Sequence, residues 1–284
     1  MSGNNLVLNR LFTQYIFRDL LESGHNTTYS NIVKKYIQDY DQKDNGQLIC
    51  EIYKYMSTSY RNEYIYQNNL INKLLLGKHS INTTTALAQV PIGKSKADFI
   101  LINGKAVVYE IKTELDTFER LENQLKDYYK AFNHVCVVTC ESNYHKLLSM
   151  LEGTPVGIYI LTKKNTLSMS LRKEPIEDNS HLNYDAIFKM LRKKEYENII
   201  YKYYGELPQA TPVFYYSECL KWFKNIPLEN VYISMLKELK QRNKVLEEEY
   251  QKVPYELKSL MYFFNSPLRD YEELNVFLNK KFRG

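Results

Sequence analysis

The sequence has 284 residues, of which 44% are hydrophobic and 25% charged, and its formal net charge is +5. These proportions are typical of an ordinary globular protein, and no apolar stretch is long enough to cross a bilayer, which argues against a membrane protein. The N-terminus lacks a basic region followed by an apolar run and a cleavage site, so we expect a soluble, cytoplasmic protein.

Four cysteines are too few for a disulfide framework. Cys136 and Cys140 are separated by three residues, and Cys136 lies in a strand-like run. We therefore expect buried small hydrophobic residues and no zinc site. The small positive excess is compatible with a polyanionic partner but does not identify one.

The first 45 residues predict a helical extension. Apolar residues recur at helical spacing over 6–21, and Gly24 is a natural helix stop. A second short helix is predicted after Ser30, and the polar segment 39–46 reads as a linker. We therefore place a domain boundary near residue 45.

A core region is predicted over 46–165. It begins with helices at 48–56 and 59–76, the second of which places Glu63 at the border of a buried stripe. Strand-like runs follow, and Asn103-Gly104 is a strong hairpin signal. The predicted strands are 83–90, 97–102 and 106–112.

Strand and helix signals then alternate. Asp116 is predicted to cap a helix that runs to about 132, and a second helix is predicted around 144–151. Two apolar strands, 134–139 and 157–161, indicate a sheet covered on both faces. The remainder, 166–284, is predicted to be mainly helical.

Glu110 and Lys112 are the residues that most directly suggest chemistry. Residues two apart in a strand share a face, so both side chains point the same way while Ile111 points into the opposite layer. A carboxylate and an ammonium group therefore share one face at the end of a predicted buried strand.

Whether Asp98 joins them depends on the hairpin register. A two-residue loop sets Asp98 opposite Tyr109, on the wrong face. A three-residue loop with Gly104 in the left-handed conformation sets it opposite Val108 and diagonal to Glu110. We predict the three-residue loop or an equivalent bulge.

Two adjacent carboxylates at the end of a buried sheet repel each other unless a cation compensates them. Asp98, Glu110 and the backbone carbonyl of Ile111 supply the hard oxygen ligands that Mg²⁺ or Mn²⁺ prefers. Lys112 would then lie beside a metal-activated water. The sequence thus predicts a metal site with these residues.

These residues resemble the PD-(D/E)xK nuclease superfamily. Asp98 matches the motif Asp, Glu110-Ile111-Lys112 matches the (D/E)xK tripeptide, and Glu63 is similar to the acid of the first helix. Ala97 stands where the motif has Pro, which leaves the metal ligands intact. The resemblance implies an α/β fold: a restriction-endonuclease-like core, with a mixed central sheet flanked by helices, and helical N- and C-terminal additions.

Gln124 and Tyr128 resemble the QxxxY motif of the RecB-like branch. Their helical spacing puts both side chains on one helix face, where the resemblance implies that they position the substrate. The resemblance covers about residues 58–162, and the helical extensions are similar to those of an uncharacterised bacterial branch. It does not identify the substrate.

The expected function is therefore Mg²⁺-dependent hydrolysis of DNA, in repair or phage defence, with RNA left open. The alternative is a catalytically silent protein of this fold that binds nucleic acid or a partner protein. The helical regions are candidates for contact with a second copy or a partner. Basic runs at 192–196, 202–204 and 237–244 are candidates for a nucleic-acid path, although solvated helix faces explain them equally well.

Overall fold

A computed structural model of the chain describes residues 5–78, 80–243 and 245–283. Its centre is one six-stranded sheet, built in chain order from β1 (Thr85–Ile92), β2 (Ser95–Asn103), β3 (Lys105–Lys112), β4 (Val135–Thr139), β5 (Gly157–Leu161) and β6 (Leu167–Lys173). Strands β1 to β3 form an antiparallel meander, β3, β4 and β5 are parallel, and β6 returns antiparallel to β5. The predicted α/β class with a mixed sheet is confirmed.

Helices cover both faces of the sheet, and none of those described is long and apolar enough to span a membrane. A π-helical turn, Ile71–Leu75, joins α5 to α6. The α-helices are α1 (Leu8–Leu11), α2 (Gln14–Ser23), α3 (Thr27–Tyr36), α4 (Asn45–Ser59), α5 (Glu63–Leu70), α6 (Leu76–Lys78), α7 (Leu121–Tyr129), α8 (Tyr144–Met150), α9 (Tyr184–Met190), α10 (Lys193–Tyr204), α11 (Pro212–Lys224), α12 (Leu228–Lys240), α13 (Glu247–Lys252), α14 (Lys258–Phe264) and α15 (Leu268–Asn279).

Two hydrophobic cores lie on opposite faces of the sheet. Helices α1 to α5 and α13 to α15 pack on one face, whereas α7 to α12 pack on the other. Val137 and Val138, adjacent in β4, enter different cores. Because both faces are covered, β4 and β5 are buried along their whole length and show no alternation of polar and apolar residues, as the sequence predicted.

The N-terminal helices differ from the prediction in their boundaries. The single helix expected over 6–21 is two helices, because Thr13 breaks the run and caps α2 with its hydroxyl oxygen. Asn26 caps α3, so that helix begins before Ser30. The expected linker at 39–46 contains a short 3₁₀ turn, and a capping box on Asp44 starts α4 there.

One prediction after β3 is wrong. Asp116 does not cap a helix, because its carboxylate accepts hydrogen bonds from the backbone N–H and the hydroxyl of Thr113, and α7 begins only at Leu121. The region after 165 is mainly helical, as predicted, but it opens with a strand that the sequence did not predict, β6, which extends the sheet. That strand is half-exposed and alternates serine with larger residues, so it lacks the apolar run that marks β4 and β5.

The predicted hairpin register is also wrong. Gly104 does adopt the left-handed conformation, with φ of 72°. However, Phe99 pairs with Tyr109 and Asn103 pairs with Lys105, so the turn is tighter than either loop that we considered. This register sets Asp98 opposite Glu110, and residues directly opposite in an antiparallel pair share a face.

Arg242 provides a test of the packing between α10 and the end of α12. Its guanidinium group donates to both carboxylate oxygens of Glu195 at 2.6 and 2.7 Å, and both side chains are 10% exposed. Burial alone would raise the pKa of Glu195, but these hydrogen bonds outweigh it and lower the pKa. The pair therefore stabilises the fold at neutral pH, and this contribution is lost as the pH falls through the lowered pKa.

We expect Arg242→Ala to reduce the free energy of unfolding by about 3 to 5 kcal/mol, because it leaves a buried carboxylate without its cation. Urea denaturation at neutral pH measures this change. Lys252→Ala is the matched control: Lys252 pairs with Glu249 on the surface, where such pairs contribute about 1 kcal/mol or less. Equal effects of the two substitutions would contradict the prediction.

Candidate active site

Glu110 and Lys112 form a buried ion pair at the end of β3. The Lys112 Nζ atom lies 2.7 Å from Glu110 Oε1 and also donates to Gln124 Oε1 at 2.9 Å. On its other oxygen, Glu110 accepts the hydroxyl hydrogen of Tyr128 at 2.5 Å. Gln124 and Tyr128, both on α7, thus hold Lys112 and Glu110 in place. Tyr128 is fully buried, and its hydroxyl contacts Glu110 directly.

Asp98 joins this group from β2. Its Oδ2 atom accepts a hydrogen bond from the backbone N–H of Ile111 at 2.9 Å, where a carbonyl of β2 would otherwise bind. The N–H and C=O groups of one strand residue point to the same side, so the Ile111 carbonyl is also directed towards β2 and Asp98. The next carbonyl, that of Lys112, accepts from the Thr139 hydroxyl on the opposite side, as this alternation requires.

Glu63 reaches the same place from the first turn of α5. Asn62 caps that helix, which fixes Glu63 as its first residue. The side-chain amide of Gln89, on β1, donates to Glu63 Oε1 at 3.1 Å and to Asp98 Oδ1 at 3.4 Å. Gln89 has a left-handed backbone with φ of 54°, which is unfavourable for a residue other than glycine.

The electrostatics show that negative charge is in excess here. Burial, followed by the nearby carboxylates of Glu110 and Glu63, raises the pKa of Asp98 to about 8 against the opposing effects of the Ile111 N–H and Lys112. Burial against the cavity wall, together with Glu110 and Asp116, also raises the pKa of Glu63, although its side chain reaches solvent. One ammonium group therefore does not neutralise the carboxylates gathered around it.

These groups line a cavity of about 750 Å³. Its walls include Asn9 and Phe12 from the N-terminal segment; Asn9 accepts a hydrogen bond from Asn62, and Phe12 stacks on Tyr64. A larger cavity of about 880 Å³ lies along α7 and is mostly lined by apolar side chains. The smaller cavity is the candidate site, because carboxylates from three separate elements, those of Glu63, Asp98 and Glu110, converge there.

The donor set fits a hard dication. Among the described residues, no three His, Cys, Asp or Glu side chains are arranged to hold a metal ion by themselves. The set that the sequence predicted needs only two carboxylates, those of Asp98 and Glu110, together with the Ile111 carbonyl and water. Excess negative charge and hard oxygen donors are what Mg²⁺ or Mn²⁺ requires.

The cavity brings together all but one of the residues that the sequence predicted for the site, and it adds Gln89, Asp116 and the N-terminal wall. The exception is Tyr128, which is buried behind Glu110 and does not line the cavity, so it is not placed to contact a substrate as predicted. The sequence around Gln89 carries no signal for this position. It reaches the site only because Ala88 pairs with Phe99 and Val90 with Ala97, which sets Gln89 beside Asp98. The left-handed φ likewise has no counterpart in the sequence pattern.

Comparison with known proteins assigns the chain to a family. The profile of the family described as bacteriophage P4 protein cII matches residues 56–261, more than two thirds of the chain. The chain belongs to this family. Protein cII of Enterobacteria phage P4 is 28% identical over 111 residues, which are 38% of this chain and 40% of that protein. No solved structure matches.

The protein cII match extends well beyond the segment predicted to carry the site. It begins near the end of α4 and reaches α14, so it includes the whole sheet, the candidate site and helices α7 to α13. Helices α1 to α3 and α15 lie outside it. The aligned part of the phage P4 protein is about two fifths of its length.

Proposed function

We propose that this member of the protein cII family is a metal-dependent nuclease that hydrolyses phosphodiester bonds, with DNA as the expected substrate. The observation that carries the proposal is the convergence of Asp98, Glu110 and Lys112 in one cavity, with Glu63 beside them. The name protein cII states no activity, so the proposal rests on the site. It agrees with what the resemblance to PD-(D/E)xK nucleases of the RecB-like branch implies.

Each residue has a role that follows from its contacts. Asp98 and Glu110, with the Ile111 carbonyl, would bind Mg²⁺ or Mn²⁺, and Glu63 would add negative charge at the mouth of the cavity. Such an ion polarises a phosphate and lowers the pKa of a bound water. Lys112 would orient the attacking water or stabilise negative charge that develops on the phosphate, since its Nζ is held beside Glu110.

The residues of α7 would keep this arrangement rigid. Tyr128 fixes the rotamer of Glu110, and Gln124 fixes that of Lys112. Gln124 is only partly buried, so it could also contact a substrate phosphate. Four free cysteines agree with the proposed cytoplasmic location, and a role in repair or phage defence remains part of the proposal.

The test is cleavage of plasmid DNA, single-stranded DNA and RNA in Mg²⁺, in Mn²⁺ and in EDTA. We expect DNA to be cut in either metal and to remain intact in EDTA. A Lys112→Met preparation made in parallel reports contaminating nucleases. Activity of equal size in EDTA, or in that variant, would refute the proposed mechanism.

One observation favours the catalytically silent alternative: the Glu110–Lys112 pair is already satisfied within the protein, by Gln124 and Tyr128. Calorimetric titration with Mn²⁺, with and without DNA, separates the two functions. A folded protein that binds no Mn²⁺ in either titration would support the alternative.

A further inference from the structure

A groove between α10 and α12 brings together two basic runs that lie about 35 residues apart in the sequence. Its floor contains the buried residues Ile199 and Ile226, and its walls include Tyr203 and Ile233, which are 49% and 44% exposed. The remaining lining residues are Lys202, Asn230, Ser234 and Lys237. The basic run predicted at 237–244 ends at position 244, outside the described residues.

The charges of the groove are unbalanced. Lys202 and Lys237 are exposed, and within the part of the chain that the structure describes neither forms a salt bridge or a side-chain hydrogen bond. Two acids near them in the sequence are otherwise engaged: Glu238 accepts from Asn198, and Glu197 accepts from Tyr215. A third, Glu206, lies beyond the left-handed Gly205 that ends α10 and does not line the groove. Two free cations beside a groove with an apolar floor favour a partner that combines negative charge with a flat ring.

The shape of the groove indicates how much of such a partner it takes. Its volume of about 240 Å³ is below the roughly 300–1,000 Å³ of pockets that enclose whole small ligands. Tyr203 continues into an aromatic row, with ring centroids 4.9 Å from Tyr203 to Tyr204 and 5.0 Å from Tyr204 to Trp222. A groove that takes one ring, next to a row of aromatic side chains, suits a polymer that carries successive bases.

We propose that this groove binds single-stranded nucleic acid, with one base against Tyr203 and Ile233 and neighbouring phosphates on Lys202 and Lys237. Stacking on tyrosine is open to every base, so the site would select unpaired strands and have little sequence preference. A duplex hides its base faces and would bind more weakly. The inference does not depend on the proposed nuclease activity, because it concerns a separate groove that shares no lining residue with the candidate site.

The experiment is a fluorescence anisotropy titration of a labelled oligothymidylate in EDTA, where metal-dependent cleavage cannot occur, at several salt concentrations. We expect Tyr203→Ala to weaken binding about tenfold, because it removes the ring on which a base stacks, and Tyr203→Phe to retain binding, because it keeps that ring. Lys202→Ala/Lys237→Ala should reduce the slope of log K against log salt by about 1.4, since each phosphate contact on a single strand contributes about 0.7.

Matched controls remove the same groups elsewhere. Lys163→Ala/Lys164→Ala removes two exposed lysines from the turn between β5 and β6, and Tyr15→Ala removes a tyrosine that is 78% exposed on α2. Both should bind like the parent. The proposal is overturned if the oligonucleotide does not bind, or if the control variants weaken binding as much as the groove variants do. It is also overturned if an oligoglutamate peptide displaces the labelled strand as well as unlabelled oligothymidylate does.

Discussion

Lys112→Met is expected to reduce DNA cleavage by about 10²–10³-fold, the loss seen when a group that stabilises charge in a transition state is removed. Its affinity for Mn²⁺ should stay the same or increase. The ammonium group lies 2.7 Å from Glu110 Oε1 and competes with a metal ion for that oxygen. A split between lost cleavage and retained metal binding is the signature of a catalytic lysine, and a purely structural role would not produce it.

Folding has to be controlled in this experiment, because Glu110 is 1% exposed and would lose its cation. Circular dichroism and thermal melting should therefore be measured with Mn²⁺ present, since the metal replaces the missing charge. Lys105→Met is the matched control: Lys105 is exposed at the opposite end of the same strand and should leave cleavage unchanged. Loss of cleavage together with loss of Mn²⁺ binding in folded Lys112→Met would contradict the catalytic role.

The candidate site could be predicted from the sequence because its residues lie on elements with strong local signals. Glu110 and Lys112 end an apolar strand, so their shared face follows from the two-residue period. Gln124 and Tyr128 are four apart on a helix, so their common face follows from the helical period. Both inferences require only the element type, which apolar patterning determines well.

The hairpin register could not be predicted in the same way. Asn103-Gly104 indicates a turn but does not determine its length. A shift of the strand register by one residue moves every side chain to the other face of the sheet. The observed register follows from packing: Phe99, Leu101 and Tyr109 enter one core, and Ile100, Ile102 and Val108 enter the other. Those two cores are built mainly by helices that are distant in the sequence, so the local sequence of the hairpin does not reveal this packing.

The strand β6 was missed for a related reason. Its residues are half-exposed and its pairing with β5 shifts register between Tyr159 and Leu161, so it shows neither an apolar run nor a clean alternation. It is stabilised instead by contacts that only the fold provides: the Arg172 guanidinium lies 3.9 Å over the Tyr159 ring, and Lys173 donates to two backbone carbonyls. Tertiary contacts here override a weak local preference.

Asp98→Asn is expected to make the metal-free protein more stable and, at the same time, inactive. In the folded protein the pKa of Asp98 is raised to about 8, mainly by burial and then by Glu110 and Glu63. The unfolded chain releases this proton near pH 4. Between these two values the folded state binds more protons than the unfolded state, so the stability of the parent falls as the pH rises from about 4 to about 8.

Asparagine cannot ionise, and its side-chain oxygen can still accept the Ile111 N–H. The variant should therefore lack that fall in stability and exceed the parent by at least ~1 kcal/mol at pH 8 in EDTA, because one pKa unit corresponds to about 1.4 kcal/mol. Urea denaturation between pH 5 and pH 8 measures this difference, and Asp185→Asn, at an exposed ion pair with Lys224, is the control. Added Mn²⁺ should stabilise the parent but not Asp98→Asn.

Because strain from repelling carboxylates has no structural benefit, a gain in stability with loss of cleavage would mark Asp98 as a residue kept for function. A variant that is less stable than the parent at pH 8 would show that Asp98 instead stabilises the fold through its bond to Ile111.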